Sequence, residues 1–276
     1  MPKNKTDKAA TLAERADRHE LYEASVQDTE SELEFVAETF LEQTGRKLKF
    51  IREDFCGTGN TACAWVASGK SHRAIGVDLD AEVLDWGRRN HLARLDPDAR
   101  ARVELLQADV LSVRTEPVDA VLAMNFSYYL FTTRSLLRDY FRRALVALKS
   151  DGVLFLDAFG GYEAHRELEE RTEHDDFTYV WDQAAFNPIN QHMTCCIHFE
   201  FSDGSELHNA FEYHWRLWTL PEIRELLLEA GFASATVYWE GTDPKTGEGD
   251  GVYEPSERGD ADAGWIAYIV ARPAGA

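Results

Sequence analysis

Apolar positions change their period several times along the chain, and each change marks an element. Leu33, Val36, Ala37, Phe40 and Leu41 recur at spacings of three and four, so residues 9–45 read as helices that stop at Gly45. From there the pattern shortens. Lys47–Glu53 is a strand that runs into a glycine loop, and Thr61–Ser68 is a helix closed by Gly69. Arg73–Leu79 and Arg102–Asp109 are strands on either side of a helix over Ala81–Leu95. Asp119–Phe126 and Gly152–Phe159 are strands around an amphipathic helix, Arg134–Leu148. Strands alternating with helices predict an α/β fold, a mostly parallel sheet covered on both faces. Such sheets bind ligands beyond the carboxyl ends of their strands.

After Gly160-Gly161 the pattern turns antiparallel. Phe177–Asp182, Met193–Phe201 and Ser205–Trp215 read as strands, with Asp203-Gly204 as a hairpin turn. A helix over Leu220–Ala230 follows, with Thr219 as N-cap and Gly231 as stop. Ala235–Glu240 and Trp265–Arg272 are two last strands, and Gly241–Gly264 between them is expected to be a mobile acidic loop. The expected organisation is a helical cap over 1–46, a sheet domain over 47–160 and 217–276, and a small antiparallel insertion over 161–216 after the fifth strand.

Composition narrows the partners. The net charge is −20, and only eight of the 29 basic residues are Lys. So acidic a surface repels phosphate backbones, which excludes nucleic acid as an expected partner. No apolar run is long enough to span a bilayer, and the first twenty residues lack the core of a secretory signal. Cytoplasmic location is therefore the expectation, with Lys3, Lys5 and Lys8 in a frayed tail. Cys56, Cys63, Cys195 and Cys196 show no metal-ligand spacing, so no metal is expected and they read as buried thiols in a reducing compartment. Cys56, inside the glycine loop, is the one placed where solvent would reach it.

That loop carries the chemistry. In Glu53-Asp54-Phe55-Cys56-Gly57-Thr58-Gly59, the glycines admit close approach of a ligand, and the helix behind them offers free N–H donors. Asp78 ends the next strand, where a carboxylate can take both hydroxyls of a ribose. Gly57-x-Gly59-x-x-Ala62 with Asp78 also fits a dinucleotide fingerprint. Glu53 and Asp54 argue against that, because they would face a pyrophosphate with like charge, whereas a sulfonium ligand with an ammonium group suits them. Asp109 after the third strand can accept from an adenine amine. The plain alternatives are that Asp78 and Asp109 cap strand ends and that Asn125 closes a turn.

These residues bring the chain to a resemblance. EDFCGTG, GVDLD, QADV, AMNFSYYLF and LVALKSDGVLFLD resemble, in order, the motifs of the class I S-adenosylmethionine-dependent methyltransferase family, small-molecule type. The last two strands resemble the hairpin that completes its seven-stranded sheet. One departure is Phe55, where the family usually has Gly. The resemblance implies S-adenosylmethionine as cofactor and S-adenosylhomocysteine as product. It implies that Glu53 binds the ammonium, Gly57 and Gly59 pack on the methionine part, and Cys56 lies in the same loop. Asp78 would hold the ribose, Leu79, Asp109 and Val110 the adenine, and Asn125 and Phe126 the region of the sulfur. Tyr22 would act as a lid residue.

The acceptor side is less sharply marked. The insertion resembles the antiparallel platform found over the active site of small-molecule N-methyltransferases, a platform through which some members dimerise. Tyr128, Arg166, Arg216 and Trp218 are the candidate substrate contacts, and Tyr129 and His214 the candidate catalytic groups. An ordinary core or surface role stands beside each of these. The sequence offers no commanding base, which favours an amine acceptor over a hydroxyl. The expected activity is methyl transfer to a small-molecule amine. A nicotinamide-dependent oxidoreductase and a non-catalytic S-adenosylmethionine binder are the alternatives.

Overall fold

The computed structural model describes residues 10–247 and 249–275. The start of the chain, with Lys3, Lys5 and Lys8, lies outside the described residues. The chain forms two compact units, one of Asp28–Ala164 with Arg216–Ala276, the other of the residues up to Gln27 with His165–Trp215.

The larger unit is built on one sheet. Its elements are α3 (Thr29–Thr44), β1 (Phe50–Asp54), α4 (Asn60–Ala67), β2 (Arg73–Asp78), α5 (Ala81–Asn90), α6 (Pro97–Arg100), β3 (Val103–Gln107), β4 (Val118–Ala123), α7 (Arg134–Ala147), β5 (Leu148–Gly160), α8 (Leu220–Ala230), β10 (Phe232–Thr242), β11 (Gly249–Pro255) and β12 (Trp265–Pro273). The strand order is β11-β10-β12-β5-β4-β1-β2-β3. β1 to β5 run parallel, and β10 to β12 antiparallel. Every residue of β1 and β4 is buried, as central strands covered on both faces must be. On one face Leu33, Val36 and Phe40 of α3 and Trp65 of α4 meet Ile51, Leu122 and Phe155. On the other, the Tyr140 hydroxyl of α7 donates to Asp54, which is paired with the equally buried Arg52 at 2.8 Å.

Asp119 at the amino end of β4 ties the base of the sheet together. It accepts from Arg46 at 2.9 Å, Lys149 at 2.7 Å and the Phe50 N–H at 2.9 Å. Burial works to raise its carboxyl, but the bonds from Lys149 and Phe50 hold it below the ordinary range.

The sheet has eight strands rather than the seven expected, because β11 lies inside the segment read as a mobile loop. It is an edge strand of Gly, Asp and Glu with little to bury, and only Tyr253 packs inward, so no periodicity betrayed it. The helix expected over Ala81–Leu95 ends at Asn90, and Pro97 opens the next short helix. β4 stops at Ala123, so Asn125 and Phe126 belong to the turn after it and not to the strand. α3, part of the expected cap, packs with the sheet.

The smaller unit holds α1 (Leu12–Arg15), α2 (Arg18–Val26) and a sheet of order β6-β7-β8-β9. Its strands are β6 (Leu168–Glu173), β7 (Phe177–Asn187), β8 (His192–Phe201) and β9 (Glu206–Arg216). Leu21, Tyr22 and Val26 of α2 pack on a face built around Ile197, Phe199 and Ala210. β6 is a correction. The apolar pattern predicts no element between Gly161 and Phe177, but a short 3₁₀ turn over Glu163–His165 and then this edge strand stand there. Charged residues fill β6, and it pairs on one side alone.

Candidate active site

The glycine loop leaves β1 and enters α4 through three left-handed residues: Phe55 (φ 60°), Gly57 (φ 53°) and Gly59 (φ 70°). At Gly57 a side chain would point into open space, with no atom within 4 Å, so the backbone is bare on the side a ligand would approach. Phe55 takes the strained conformation that Gly usually fills and turns its ring onto Tyr140 and Phe131 at 5.5 and 6.0 Å. A second glycine fixes the loop from behind. A Cβ on Gly87 of α5 would lie 1.8 Å from the Thr58 carbonyl oxygen, so the helix touches the loop backbone directly.

Two carboxylates beyond the loop are already oriented. Asp78 accepts from the Gly57 N–H at 2.8 Å and from the Asp80 N–H at 2.9 Å. A carboxylate has about four acceptor positions, so two stay open. Leu79 beside it leaves 66% of its surface exposed, an apolar shelf at the mouth of the sheet. Asp109 sits two residues past the end of β3 and accepts from the Leu111 N–H at 2.8 Å, while Val110 is buried. Asn125 (φ 58°) and Phe126 (φ 57°) are both left-handed, and their N–H groups donate to Asp157 of β5 at 2.7 and 2.9 Å. Asp157 is thus what holds the strained turn. Glu53, Gly57, Gly59, Asp78, Leu79, Asp109, Val110, Asn125 and Phe126 all gather at the carboxyl ends of β1 to β4.

Three acids at this end lack a cation among the described residues. Glu53 accepts from the Ala62 N–H at 3.0 Å, yet burial pushes it up to about 8. Asp157 is pushed up to about 7 by burial, against its two backbone bonds. Glu32 of α3 is pushed up to about 8 by burial and by the nearby Asp157, Glu53 and Asp28. No basic side chain pairs with any of the three among the described residues. Glu32 and Asp157 were not among the expected site residues. An acid at the end of the apolar run GVLFLD was a legible signal for Asp157, whereas Glu32 is one of five acids in its helix and carried none.

The acceptor-side expectations fare differently. Tyr128 and Tyr129 are fully buried. Their hydroxyls donate to the Asp157 carbonyl at 2.7 Å and the Phe159 carbonyl at 3.3 Å, and burial raises both. Trp218 is buried and donates to the Phe131 carbonyl at 3.2 Å. Arg216 lies over the Trp218 ring at 3.7 Å and is held by Glu222 at 2.8 Å, which engages it as an internal clamp. Cys56 is buried against Leu84 and Leu105, so it is not the accessible thiol expected. In the smaller unit, Tyr22 packs on Phe211 at 4.9 Å and Arg166 is exposed. His214 there is 73% exposed and faces Glu212 at 3.1 Å, a solvated surface position rather than an enclosed base.

Residues 51–152 match the methyltransferase domain family. The matched segment holds every gathered residue named above, and Glu32 and Asp157 fall outside it. No curated protein matches the sequence. Among solved structures, an S-adenosylmethionine-dependent methyltransferase from Clostridium acetobutylicum has a TM-score of 0.67 at 17% identity, over 93% of this chain and 98% of its own. CalS10, an amino pentose methyltransferase from Micromonospora echinaspora, has a TM-score of 0.64 at 16% identity, over 92% and 95%. The sugar N-methyltransferase KedS8 from Streptoalloteichus has a TM-score of 0.63 at 18% identity, over 99% and 98%. The fold around the domain is thus the fold of these methyltransferases.

Proposed function

We propose that the protein transfers a methyl group from S-adenosylmethionine to an amine nitrogen of a small molecule. The observation that carries this reading is Glu53: a buried carboxyl, unpaired by any cation among the described residues, beside the bare backbone of Gly57. An ammonium group beside Glu53 would favour its ionised form and pair with it, whereas a pyrophosphate would press it further toward the neutral form and give it no partner. Glu53 would hold the ammonium. The open positions of Asp78 would take the ribose hydroxyls, and Leu79 and Val110 would flank the adenine, whose amine Asp109 would accept. The turn at Asn125 and Phe126, fixed by Asp157, would shape the wall beside the reacting carbon. The cofactor brings a methyl group already activated on a sulfonium, so the protein's task is alignment and exclusion of water, worth on the order of 7–11 kcal/mol. The sugar N-methyltransferase and the amino pentose methyltransferase among the structural neighbours are consistent with a small amine acceptor.

The test is calorimetric titration of wild type and Asp78→Ala with S-adenosylmethionine, S-adenosylhomocysteine and NAD, in low and molar salt. Binding of the adenosyl ligands that weakens sharply in the variant is expected. Binding of NAD alone, or of no ligand in either salt, refutes the reading.

A further inference from the structure

The carboxyl end of the sheet divides into two halves. The groups assigned above to adenosine and methionine stand on the loops after β1, β2 and β3. The other half, beyond β5 and β12, holds Glu32, Asp157, Tyr268, Tyr253 and Phe35. Tyr268 of β12 lies directly opposite Asp157 of β5 in the pairing register. Its ring stacks on Phe35 of α3 at 4.3 Å and 21°, and Tyr253 of β11 closes on it at 4.5 Å.

Glu32 belongs to this second half. It stands one turn before Phe35 on α3, the residue that stacks on Tyr268; the charges of Asp157, Glu53 and the helix N-cap Asp28 act on it, and no hydrogen bond or ion pair reaches its carboxyl among the described residues. The Tyr268 hydroxyl feels Glu32, Asp157 and Asp28 together and has no hydrogen-bond partner among the described residues. Glu32 is half-buried, and a carboxyl that gives up part of its hydration with no partner in return suits a cation that brings its own donors. The aromatic faces beside it suit the same ligand, since an ammonium ion is drawn to a ring's face.

Building on the methyl-transfer reading, we propose that Glu32, with Asp157, Tyr268 and the rings of Phe35 and Tyr253, forms the acceptor site, and that Glu32 binds the acceptor amine as an ammonium ion and takes its proton. The N–H bond breaks toward the Glu32 carboxylate, which becomes a carboxylic acid, and the electron pair stays on nitrogen. That pair forms the new N–C bond as the C–S bond breaks, and the sulfur keeps the C–S pair as a neutral thioether. The methylated nitrogen carries the positive charge away.

The test uses the full chain saturated with S-adenosylhomocysteine and titrated with cyclohexylamine, a cation at pH 7, and with its neutral counterpart cyclohexanol. Wild type is expected to bind the amine in preference to the alcohol. At pH 7 the amine should also expel the proton that burial keeps on Glu32, read as proton release when the titration is repeated in buffers of different ionisation enthalpy. Glu32→Gln should weaken the amine roughly tenfold, about 1.4 kcal/mol, and abolish the proton release, with S-adenosylhomocysteine affinity unchanged. Tyr268→Phe keeps the stack on Phe35 and should weaken the amine less, with proton release intact. Equal binding of amine and alcohol, binding of neither, proton release that survives Glu32→Gln, or a matching loss of S-adenosylhomocysteine affinity in that variant each overturns the assignment. Failure of wild type to bind S-adenosylhomocysteine at all overturns the methyl-transfer reading instead.

Discussion

Replacing Glu53 by Gln keeps the side chain's shape and its acceptor for the Ala62 N–H but removes the charge. With its carboxyl at about 8, Glu53 is roughly one-hundredth ionised at pH 6 and half ionised at pH 8. If only the ionised form holds the ammonium, and half of that ammonium is itself lost by pH 8, affinity for S-adenosylmethionine rises about twenty-fivefold over that range, roughly 2 kcal/mol. The gain then levels off, because an α-amino group itself loses its proton near pH 8. Calorimetry across this range should show the slope for S-adenosylmethionine and S-adenosylhomocysteine, which share the ammonium. 5′-Methylthioadenosine lacks it and should bind with a flat profile. In Glu53→Gln the slope should vanish for every ligand, and affinity at pH 8 should fall toward the wild-type value at pH 6. A slope that survives in the variant, or a flat wild-type profile, refutes the argument.

Gly87→Ala should displace the glycine loop through Thr58 and cost at least tenfold in S-adenosylhomocysteine affinity, though Gly87 touches no ligand; unchanged affinity by calorimetry would show the loop to be adaptable. Asp119→Ala leaves the Phe50 N–H, Arg46 and Lys149 without their acceptor and should cost about 2–3 kcal/mol in urea unfolding. Because the Asp119 carboxyl is held low, its contribution is present at neutral pH and is lost as pH falls through its folded value, so wild type but not the variant should show that part of the acid destabilisation. Glu32, Glu53 and Asp157 have the opposite sign. Held up to about 8, 8 and 7, they favour the ligand-free fold at low pH, and that contribution is lost as pH rises through these values. Thermal melts of the ligand-free protein should therefore fall between pH 5 and about 8.5, and Glu53→Gln should flatten part of the decline.

The parallel sheet was legible because its strands are apolar runs that no helix period fits, and the glycine loop because Gly57 and Gly59 stand at fixed distances from Glu53 and Asp78. What escaped are elements whose order comes from their neighbours. β6 and β11 are charged or glycine-rich edge strands whose alternation says little, since water covers most of both faces. Tyr128 and Tyr129 misled for a related reason. A tyrosine after a strand end reads as a pocket lining, but here the hydroxyls satisfy carbonyls of β5 that no sequence pattern reveals. Glu32 gains its meaning only when α3 is laid beside β5.

Acids act at two scales in this protein, and salt separates them. The surface charges behind the net −20 repel one another through water and are screened over about 8 Å at physiological ionic strength, so added KCl should relieve them and raise the melting temperature. Glu53 and Asp157 are withdrawn from solvent, and it is burial rather than repulsion that chiefly raises them. Screening does little to a desolvation cost. The pH slope of S-adenosylmethionine binding that Glu53 produces should therefore persist in molar KCl even as the melting temperature climbs. A slope that disappears with salt would make it a property of the acidic surface as a whole rather than of one buried carboxyl beside Gly57.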